Sequence, residues 1–190
     1  MVCRMDLRFE PLRPEHRRDA DALAAERLGE PGALDRMDGT DPALVCLRDG
    51  ELVGLCFGHR NDHNGVTLDG IAIAYDHAAT GLGGRLLAAF EEHAGAVGYR
   101  SISVGSADGY VERFYLSHGY QQTEYMVKLN ADDFDLDLTG LTVLRCRRGN
   151  GQVTLNVAAD GYSSAARRAL VECLGASDRD SVCIFAKELR

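Results

Sequence analysis

The chain has 190 residues, of which 45% are hydrophobic, and a formal net charge of −8 at pH 7. This length and composition suit one folded domain, or one domain with an extension, and exclude a disordered chain. The negative charge disfavours non-specific nucleic-acid binding, which needs a basic face. No apolar run approaches the ~20 residues of a membrane helix, and the N-terminus lacks the apolar core of a secretion signal. We therefore expect a cytoplasmic protein that binds neither nucleic acid nor membranes.

The six cysteines form no C-x-x-C pair, and most lie in apolar runs. This placement is typical of small buried hydrophobes rather than of metal ligands, so we expect no metal site. The acidic composition, with lysine only at positions 128 and 187, has two interpretations. It either attracts a cationic substrate such as an amine or reflects a host adapted to high salt or a GC-rich genome.

The first third of the chain predicts strands around a single helix. In chain order these elements are a strand over 7–12, a helix over 15–28, a loop over 30–41 and strands over 43–47 and 52–59. Gly29 follows the helical pattern as a stop signal. Asp49-Gly50 lies between two apolar runs, which is a strong signal for a β-hairpin. A second turn is predicted at 61–65.

The strand after that turn contains a slip of phase. Apolar side chains occupy even positions up to Leu68 and odd positions from Ile71 onwards. Because side chains along a strand alternate with period two, a slip at Asp69-Gly70 predicts a β-bulge. Bulges bend a strand away from its neighbour and often lie next to active sites.

The rest of the chain continues the alternation of helices and strands. The predicted elements are a helix over 82–97, a strand over 101–105, a helix over 111–118, a strand over 120–129, an acidic linker over 131–140, strands over 141–147 and 152–157, a helix over 162–174 and a strand over 182–186. This order predicts a mixed α/β (α+β) fold with a C-terminal ββαβ extension. We expect a main domain over 1–130 and an extension over 131–190, which either packs on the main domain or forms a homodimer.

Three glycines, Gly81, Gly83 and Gly84, follow an apolar strand and open an amphipathic helix. Glycines there expose backbone N–H groups, and the helix dipole adds partial positive charge, so this junction favours a phosphate. A Rossmann fingerprint needs a third glycine where Leu86 stands, and a P-loop needs a Gly-Lys-Ser/Thr sequence that is absent. Neither nucleotide-binding motif fits.

Two segments resemble the GNAT superfamily of acyl-CoA-dependent N-acetyltransferases. Residues 78–83, Ala-Ala-Thr-Gly-Leu-Gly, resemble its (Gln/Arg)-x-x-Gly-x-(Gly/Ala) motif, and FYLSHGY at 114–120 resembles its F-Y-x-x-x-G-F segment. The resemblance, which includes the order of elements, covers residues 5–129. It implies a mixed, mostly antiparallel central sheet flanked by helices. It also implies acetyl-CoA as co-substrate and transfer of the acetyl group to a primary amine, which attacks the thioester directly.

The resemblance implies a cofactor site along the strand and the glycine-rich helix start. Main-chain groups of the strand would pair with the pantetheine arm as an added strand does, and the helix-start amides would hold the pyrophosphate. The implied cofactor-binding residues are Ile71, Ala72, Ile73, Ala78, Ala79, Thr80, Gly81, Leu82, Gly83, Gly84 and Arg85. The chain departs from the family pattern at Ala78, where Arg or Gln is usual, and at Ala79, which replaces a frequent glycine.

Tyr115, in the second motif, is the acid that the resemblance implies for the departing CoA thiolate. The other reading of Tyr115 is a buried helix aromatic. A lysine-like amine is neutral in only about one part in a few thousand at pH 7, so a base assists. Asp69 at the predicted bulge is our candidate, with Asp108 and His63 as alternatives. Asp69 is otherwise a strand carboxylate that faces water.

These residues leave two functions open. The first is an N-acetyltransferase that acts on a small-molecule or peptide amine. The second is a non-catalytic acyl-CoA-binding or regulatory module, because Ala78 lacks the usual side chain and no base is evident.

Overall fold

The computed structural model describes residues 7–130, 141–150, 152–159, 164–174 and 181–189. The strands are β1 (Leu7–Pro11), β2 (Ala43–Arg48), β3 (Glu51–Arg60), β4 (Val66–Ile73), β5 (Ser101–Ser106), β6 (Gln121–Asn130), β7 (Val143–Gly149), β8 (Gln152–Ala158) and β9 (Ser181–Glu188). The α-helices are α1 (Arg17–Leu28), α2 (Leu82–Val97), α3 (Gly109–Ser117) and α4 (Ser164–Cys173). The predicted linker over 131–140 lies outside the described residues.

The chain forms two compact units, Met1–Ile102 with Glu188–Arg190, and Ser103–Lys187. Strand order in the first is β1-β2-β3-β4, with antiparallel neighbours throughout. In the second unit the order is β5-β9-β6-β8-β7, and β6 is antiparallel to both β8 and β9. The predicted mixed α/β class, with mostly antiparallel strands and flanking helices, is confirmed. The assignment of 1–130 and 131–190 as domains stays a prediction.

The core of the first unit forms where α1 covers β2, β3 and β4. Ala20, Leu23 and Ala24 recur at helical spacing and are buried on one face of α1. Because alternate strand residues share a face, one side of the sheet supplies their partners. This cluster contains Ala20, Leu23, Ala24, Ala33, Leu34, Ala43, Val45, Leu55, Phe57 and Ala72. The small alanines allow the helix backbone to approach the sheet closely.

The turn between β2 and β3 has the predicted hairpin geometry. Asp49 and Gly50 both have positive φ, at 51° and 89°. Positive φ at both central residues is the requirement of the type I′ turn, whose twist matches that of antiparallel strands. The predicted hairpin is confirmed.

The register of β3 and β4 contains the predicted bulge. Phe57 pairs with Gly70 and Gly58 pairs with Leu68, so Asp69 has no partner on β3. Beyond it, a Cβ on Gly70 would contact Leu28 of α1. Main-chain alternation therefore turns Gly70 and Ala72 towards α1, and it turns Ile71 and Ile73 towards the opposite face.

Strand β7 stands at the end of the strand order in the second unit. Its pairing with β8 is antiparallel, as the predicted hairpin requires. Residues 144–149 of β7 are all exposed, including Arg145, Arg147 and Arg148. This end strand is therefore basic, although the chain as a whole is acidic.

Three described thiols are buried and free: Cys46, Cys56 and Cys183. Burial raises the pKa of Cys46 to about 11 and, together with the nearby Glu112 carboxylate, raises the pKa of Cys183 to about 12. These thiols therefore stay protonated at neutral pH and pack as small apolar side chains. Within the described part of the chain, no helix is long and apolar enough to span a membrane.

We expect Gly58→Ala to destabilise the first unit by about 1–3 kcal/mol, the usual cost of overpacking. A Cβ on Gly58 would clash with the carbonyl oxygen of Thr67 and would lie 3.0 Å from the Cα of Leu68. Both residues belong to β4 and lie next to the bulge. Gly39→Ala is the matched control, since a Cβ there has nothing within 4 Å. Urea unfolding of both variants measures the difference. If the two variants are equally stable, the backbone of β4 moves at the bulge to accommodate the added methyl group at no measurable cost.

Candidate functional site

Helix α2 begins at an uncapped glycine. Gly81 is its N-cap, with a left-handed backbone (φ 80°, ψ 3°), and no side chain caps the helix start. The first N–H groups of a helix have no partner within the helix, and the first turn of α2 contains no acidic residue. A Cβ on Gly81 would have nothing within 4 Å, so the space beside this backbone is open. The helix start is suited to an anion.

The loop that leads into α2 is held in a strained conformation. Ala79 has φ 56°, in the left-handed region that residues with a Cβ adopt at a cost of roughly 1–2 kcal/mol. Before it, Tyr75–His77 forms a 3-10 turn. The Thr80 hydroxyl donates to the His77 carbonyl at 2.7 Å, which ties the loop to that turn. Ala79 thus adopts the left-handed conformation that glycine adopts most easily, at a position where the GNAT motif often has glycine.

Two arginines lie beside the helix start. A cavity of about 220 Å³ is lined by Leu7, Arg48, Asp76, His77, Thr80, Leu82 and Arg85. Arg48 donates from Nη1 to the His77 ring, 3.2 Å from Nδ1. Sequence reasoning identified Arg85 but missed Arg48 and His77, because these residues are 29 positions apart and no local motif connects them. The cavity beside the helix start thus contains two guanidinium groups and one carboxylate, that of Asp76.

The strand segment of the implied cofactor site is β4 beyond the bulge. Ile71, Ala72 and Ile73 pair with residues 54–56 of β3 along one edge. The chain then enters the 3-10 turn at Tyr75. The predicted cofactor-binding residues therefore form two groups, 71–73 and 78–85, which lie on either side of the 3-10 turn in the first unit.

Asp69 is half-exposed and is paired with a histidine. Its carboxylate oxygens lie 3.0 and 2.9 Å from Nδ1 of His59, near the end of β3. His59 also lines a polar cavity of about 670 Å³. The remaining lining residues are Asp38, Thr40, Asp41, Arg60, Asn61, Asp62 and Asn64. His59 is not among the site residues predicted from the sequence. The turn at 61–65 nevertheless places it opposite Thr67, near the bulge.

The two alternative bases have other roles in the structure. Asp108 is the N-cap of α3, and its side chain accepts from the amides of Tyr110 (2.7 Å) and Val111 (3.4 Å). His63 lies in the turn between β3 and β4, where its backbone N–H donates to Asn61 Oδ1 at 3.0 Å. Among the described residues, no group of three or more His, Cys, Asp or Glu side chains is placed to hold a metal ion.

Tyr115 lies on α3 in the second unit and is 5% exposed. Its ring centroid is 5.3 Å from that of Phe114, 5.3 Å from that of Tyr120 and 6.5 Å from that of Phe185. Edge-to-face aromatic pairs at these distances are favourable. Phe114, Tyr115 and Tyr120 belong to the FYLSHGY motif at 114–120, so this motif supplies three of the four rings. The cluster fixes the orientation of the Tyr115 ring.

A buried ion pair holds α3 one turn before Tyr115. Arg167 Nη1 of α4 lies 2.9 Å from Glu112 Oε1, and the two side chains are 13% and 3% exposed. Arg167 also donates to the hydroxyl and the carbonyl of Ser181 on β9, both at 3.0 Å. One guanidinium therefore joins α3, α4 and β9 within the second unit.

The model of the Acetyltransferase (GNAT) family matches residues 5–120. This match covers more than half of the chain, including both motifs and all elements from β1 to α3. The protein belongs to the GNAT acetyltransferase family. No curated protein matches the chain.

Many solved structures share the fold. The ribosomal-protein-S18-alanine N-acetyltransferase from Escherichia coli aligns with a TM-score of 0.62 at 12% identity, covering 97% of this chain and 94% of that one. An IAA acetyltransferase from Bacillus cereus aligns with a TM-score of 0.58 at 15% identity, covering 97% and 100%. A GNAT family acetyltransferase from Elizabethkingia anophelis with acetyl-CoA bound aligns with a TM-score of 0.57 at 14% identity, covering 96% and 98%. At these identities the likeness establishes the fold alone.

We expect Arg167→Leu to destabilise the protein by about 3–5 kcal/mol, because it leaves the Glu112 carboxylate buried without its guanidinium. Arg113→Leu is the control on α3, since Arg113 is exposed and should change stability by no more than about 0.5 kcal/mol. Adding Glu112→Leu to Arg167→Leu should recover much of the loss, because no buried charge then remains. Urea unfolding measures all three. Equal losses for Arg167→Leu and Arg113→Leu would contradict a buried ion pair.

Proposed function

We propose that this protein is an N-acetyltransferase that uses acetyl-CoA and a primary amine. The observation that carries the proposal is the uncapped start of α2, with open space beside Gly81 and with Arg48 and Arg85 in the adjoining cavity. Unpaired amides, a helix dipole and two guanidinium groups suit the phosphates of CoA. Acetyl-CoA bound to the structural neighbour from Elizabethkingia anophelis supports this choice of ligand.

The backbone provides most of the proposed cofactor site. The amides of residues 79–84 hold the pyrophosphate, and main-chain groups of Ile71–Ile73 pair with the pantetheine arm. Ala78 adds no side-chain contact, unlike the Arg or Gln usual in the family. Arg48 supplies a charge from β2 instead, so the site keeps its positive potential.

Two side chains of the predicted site, Tyr115 and Asp69, assist proton transfer in the proposed reaction. Bound acetyl-CoA supplies the thioester carbonyl carbon that the amine nitrogen attacks, with loss of the carbon–sulfur bond. Tyr115 donates its phenolic proton to the sulfur, a role that rests on the family motif. Asp69 assists removal of the proton from the amine. The acceptor is a small-molecule or peptide amine, and the homodimer and the cytoplasmic location stay predictions.

The second candidate is a non-catalytic acyl-CoA-binding or regulatory module. Two observations favour it: Ala78 leaves out a usual phosphate contact, and Tyr115 is packed among three aromatic rings at 5% exposure. This candidate predicts binding of CoA without acetyl transfer to any amine in a broad panel.

We expect isothermal titration with acetyl-CoA to show binding that Arg48→Ala weakens about tenfold, or about 1.4 kcal/mol, through loss of a charge-assisted contact. Arg13→Ala is the control, since its side chain is exposed and lies 3.9 Å from the neighbouring Glu15. Affinity should also fall as salt rises, because exposed charges are screened. Absence of binding to the wild type at millimolar acetyl-CoA would rule out the proposed function.

Tyr115→Phe should lower kcat about a hundredfold while leaving the affinity for CoA nearly unchanged, because only the acid is removed. The assay follows release of the CoA thiol with the amine that the wild type acetylates fastest. Tyr110→Phe is the matched control, on the same helix and 75% exposed. Unchanged turnover in Tyr115→Phe would identify this tyrosine as structural.

A further inference from the structure

His59 and Asp69 form a hydrogen-bonded pair across the β3–β4 hairpin. Both oxygens of Asp69 face Nδ1 of His59, at 3.0 and 2.9 Å. In a neutral imidazole one nitrogen carries hydrogen and the other a lone pair. A carboxylate at Nδ1 keeps the hydrogen on that nitrogen, so the lone pair is on Nε2. The pair is therefore arranged as a carboxylate-oriented base.

The bulge explains why this carboxylate is available. Asp69 is the residue of β4 that has no partner on β3, while His59 itself pairs with Thr67. The Asp69 side chain is 36% exposed and that of His59 is 51% exposed, so neither is locked in the core. Among the residues that the structure describes, none hydrogen-bonds to Nε2 of His59.

His59 is in contact with both the Asp69 carboxylate and a cavity. His59 lines the polar cavity of about 670 Å³, whereas Asp69 does not. A proton taken up from a molecule in this cavity would therefore reach His59 first, and Asp69 would stabilise the resulting imidazolium.

The charged groups around His59 favour a cation in the cavity. Asp38, Asp41 and Asp62 line it, and Arg60 is the only guanidinium among its lining residues. Hydrogen bonds from Thr40 hold the pKa of Asp38 below its usual value, so that carboxylate stays ionised. Asp41 accepts the amides of Asp38 and Arg60, at 2.9 and 3.0 Å, which fixes it at the rim. An alkylammonium ion would be attracted to this rim.

Asp69 lies on the same strand as the proposed cofactor site. Asp69 and Ile73 are four residues apart on β4, about 13 Å along the strand. The helix start that suits phosphate follows Ile73. The bulge therefore lies between the proposed phosphate site, which follows β4, and His59, which lines the acidic cavity.

We propose that His59 is the general base of the acetyl transfer and that Asp69 is its positioning residue, for an alkylamine that enters this cavity. The inference rests on the proposed function. The amine enters as an ammonium ion. His59 Nε2 takes one of its protons, and the freed lone pair on nitrogen bonds to the acetyl carbon as the carbon–sulfur bond breaks. The proton that the nitrogen loses after the attack goes to the Tyr115 oxygen, which has given its own proton to the sulfur, and His59 releases its proton to water. Asp69 keeps its negative charge throughout and acts through the ring.

A purely structural pair would also close the hairpin, so the test must separate catalysis from folding. Two nucleophiles do this: cadaverine, whose amines are protonated at pH 7 and need a base, and hydroxylamine, which is already neutral. Acetyl-CoA is the donor, and the non-enzymatic rate is subtracted. His59→Asn removes Nε2 but keeps a side-chain N–H for Asp69. His63→Asn changes another histidine of the same hairpin.

We expect His59→Asn to slow acetylation of cadaverine about a hundredfold, with the rate for hydroxylamine and the affinity for acetyl-CoA nearly unchanged. Asp69→Asn should show the same contrast with a smaller loss, because Nε2 remains but its orientation is no longer fixed. His63→Asn should leave both rates as in the wild type. Thermal unfolding checks each variant, and if His59→Asn does not fold, Asp69→Asn carries the comparison.

Equal losses with both nucleophiles would make the pair structural and would overturn the inference. An unchanged rate with cadaverine would place the base elsewhere. Binding of acetyl-CoA without acceleration for either nucleophile would also overturn it, in favour of the non-catalytic module. Absence of acetyl-CoA binding would instead remove the proposed function, and the inference with it.

Discussion

Strand β4 has one residue more than β3 can pair, and the geometry of the first unit depends on this mismatch. After the extra residue, Asp69, the alternation of side chains places Ala72 in the core under α1. Without the bulge, every later residue of β4 would point to the opposite face of the sheet, because side chains along a strand alternate with a period of two. The same extra residue, Asp69, has no backbone pairing partner on β3, and its carboxylate is hydrogen-bonded to the side chain of His59. Core packing and candidate chemistry thus have one local cause.

The proposed phosphate site, which follows β4 in the chain, is built from backbone rather than from side chains. The left-handed conformations of Ala79 and Gly81 set the path of the loop, and the start of α2 is left without a cap. Such a site tolerates changes of side chain as long as φ and ψ are kept, which explains how Ala78 can replace a polar residue. In the proposed site, Arg48 of β2 would supply a positive charge that the motif at 78–83 lacks.

The sequence predicted those features whose signals are local. Asp49-Gly50, the slip of phase at Asp69 and the glycines before α2 each lie within a few residues of the structure that they determine, and the structure contains all three. Contacts between distant residues were not predicted. Three examples are the contact of Arg48 with His77, the bond of Arg167 to Glu112 and the pairing of β9 with β6. The residues that they join are 29 to 65 positions apart in the chain. The His59–Asp69 pair lies between these cases, since it follows from the hairpin once the register is known.

The exposed arginines of β7 restrict how two copies of this protein can associate. An open strand edge is a template for adding strands from another molecule, and charged side chains are a common protection. In a two-fold symmetric dimer each residue of the edge meets the same patch of its partner. Two antiparallel β7 strands would therefore place arginine against arginine across the axis, which is unfavourable for cross-strand neighbours. If the C-terminal extension forms the predicted homodimer, it therefore does so through a surface other than this edge. The same charges disfavour the addition of further strands into a continuous sheet.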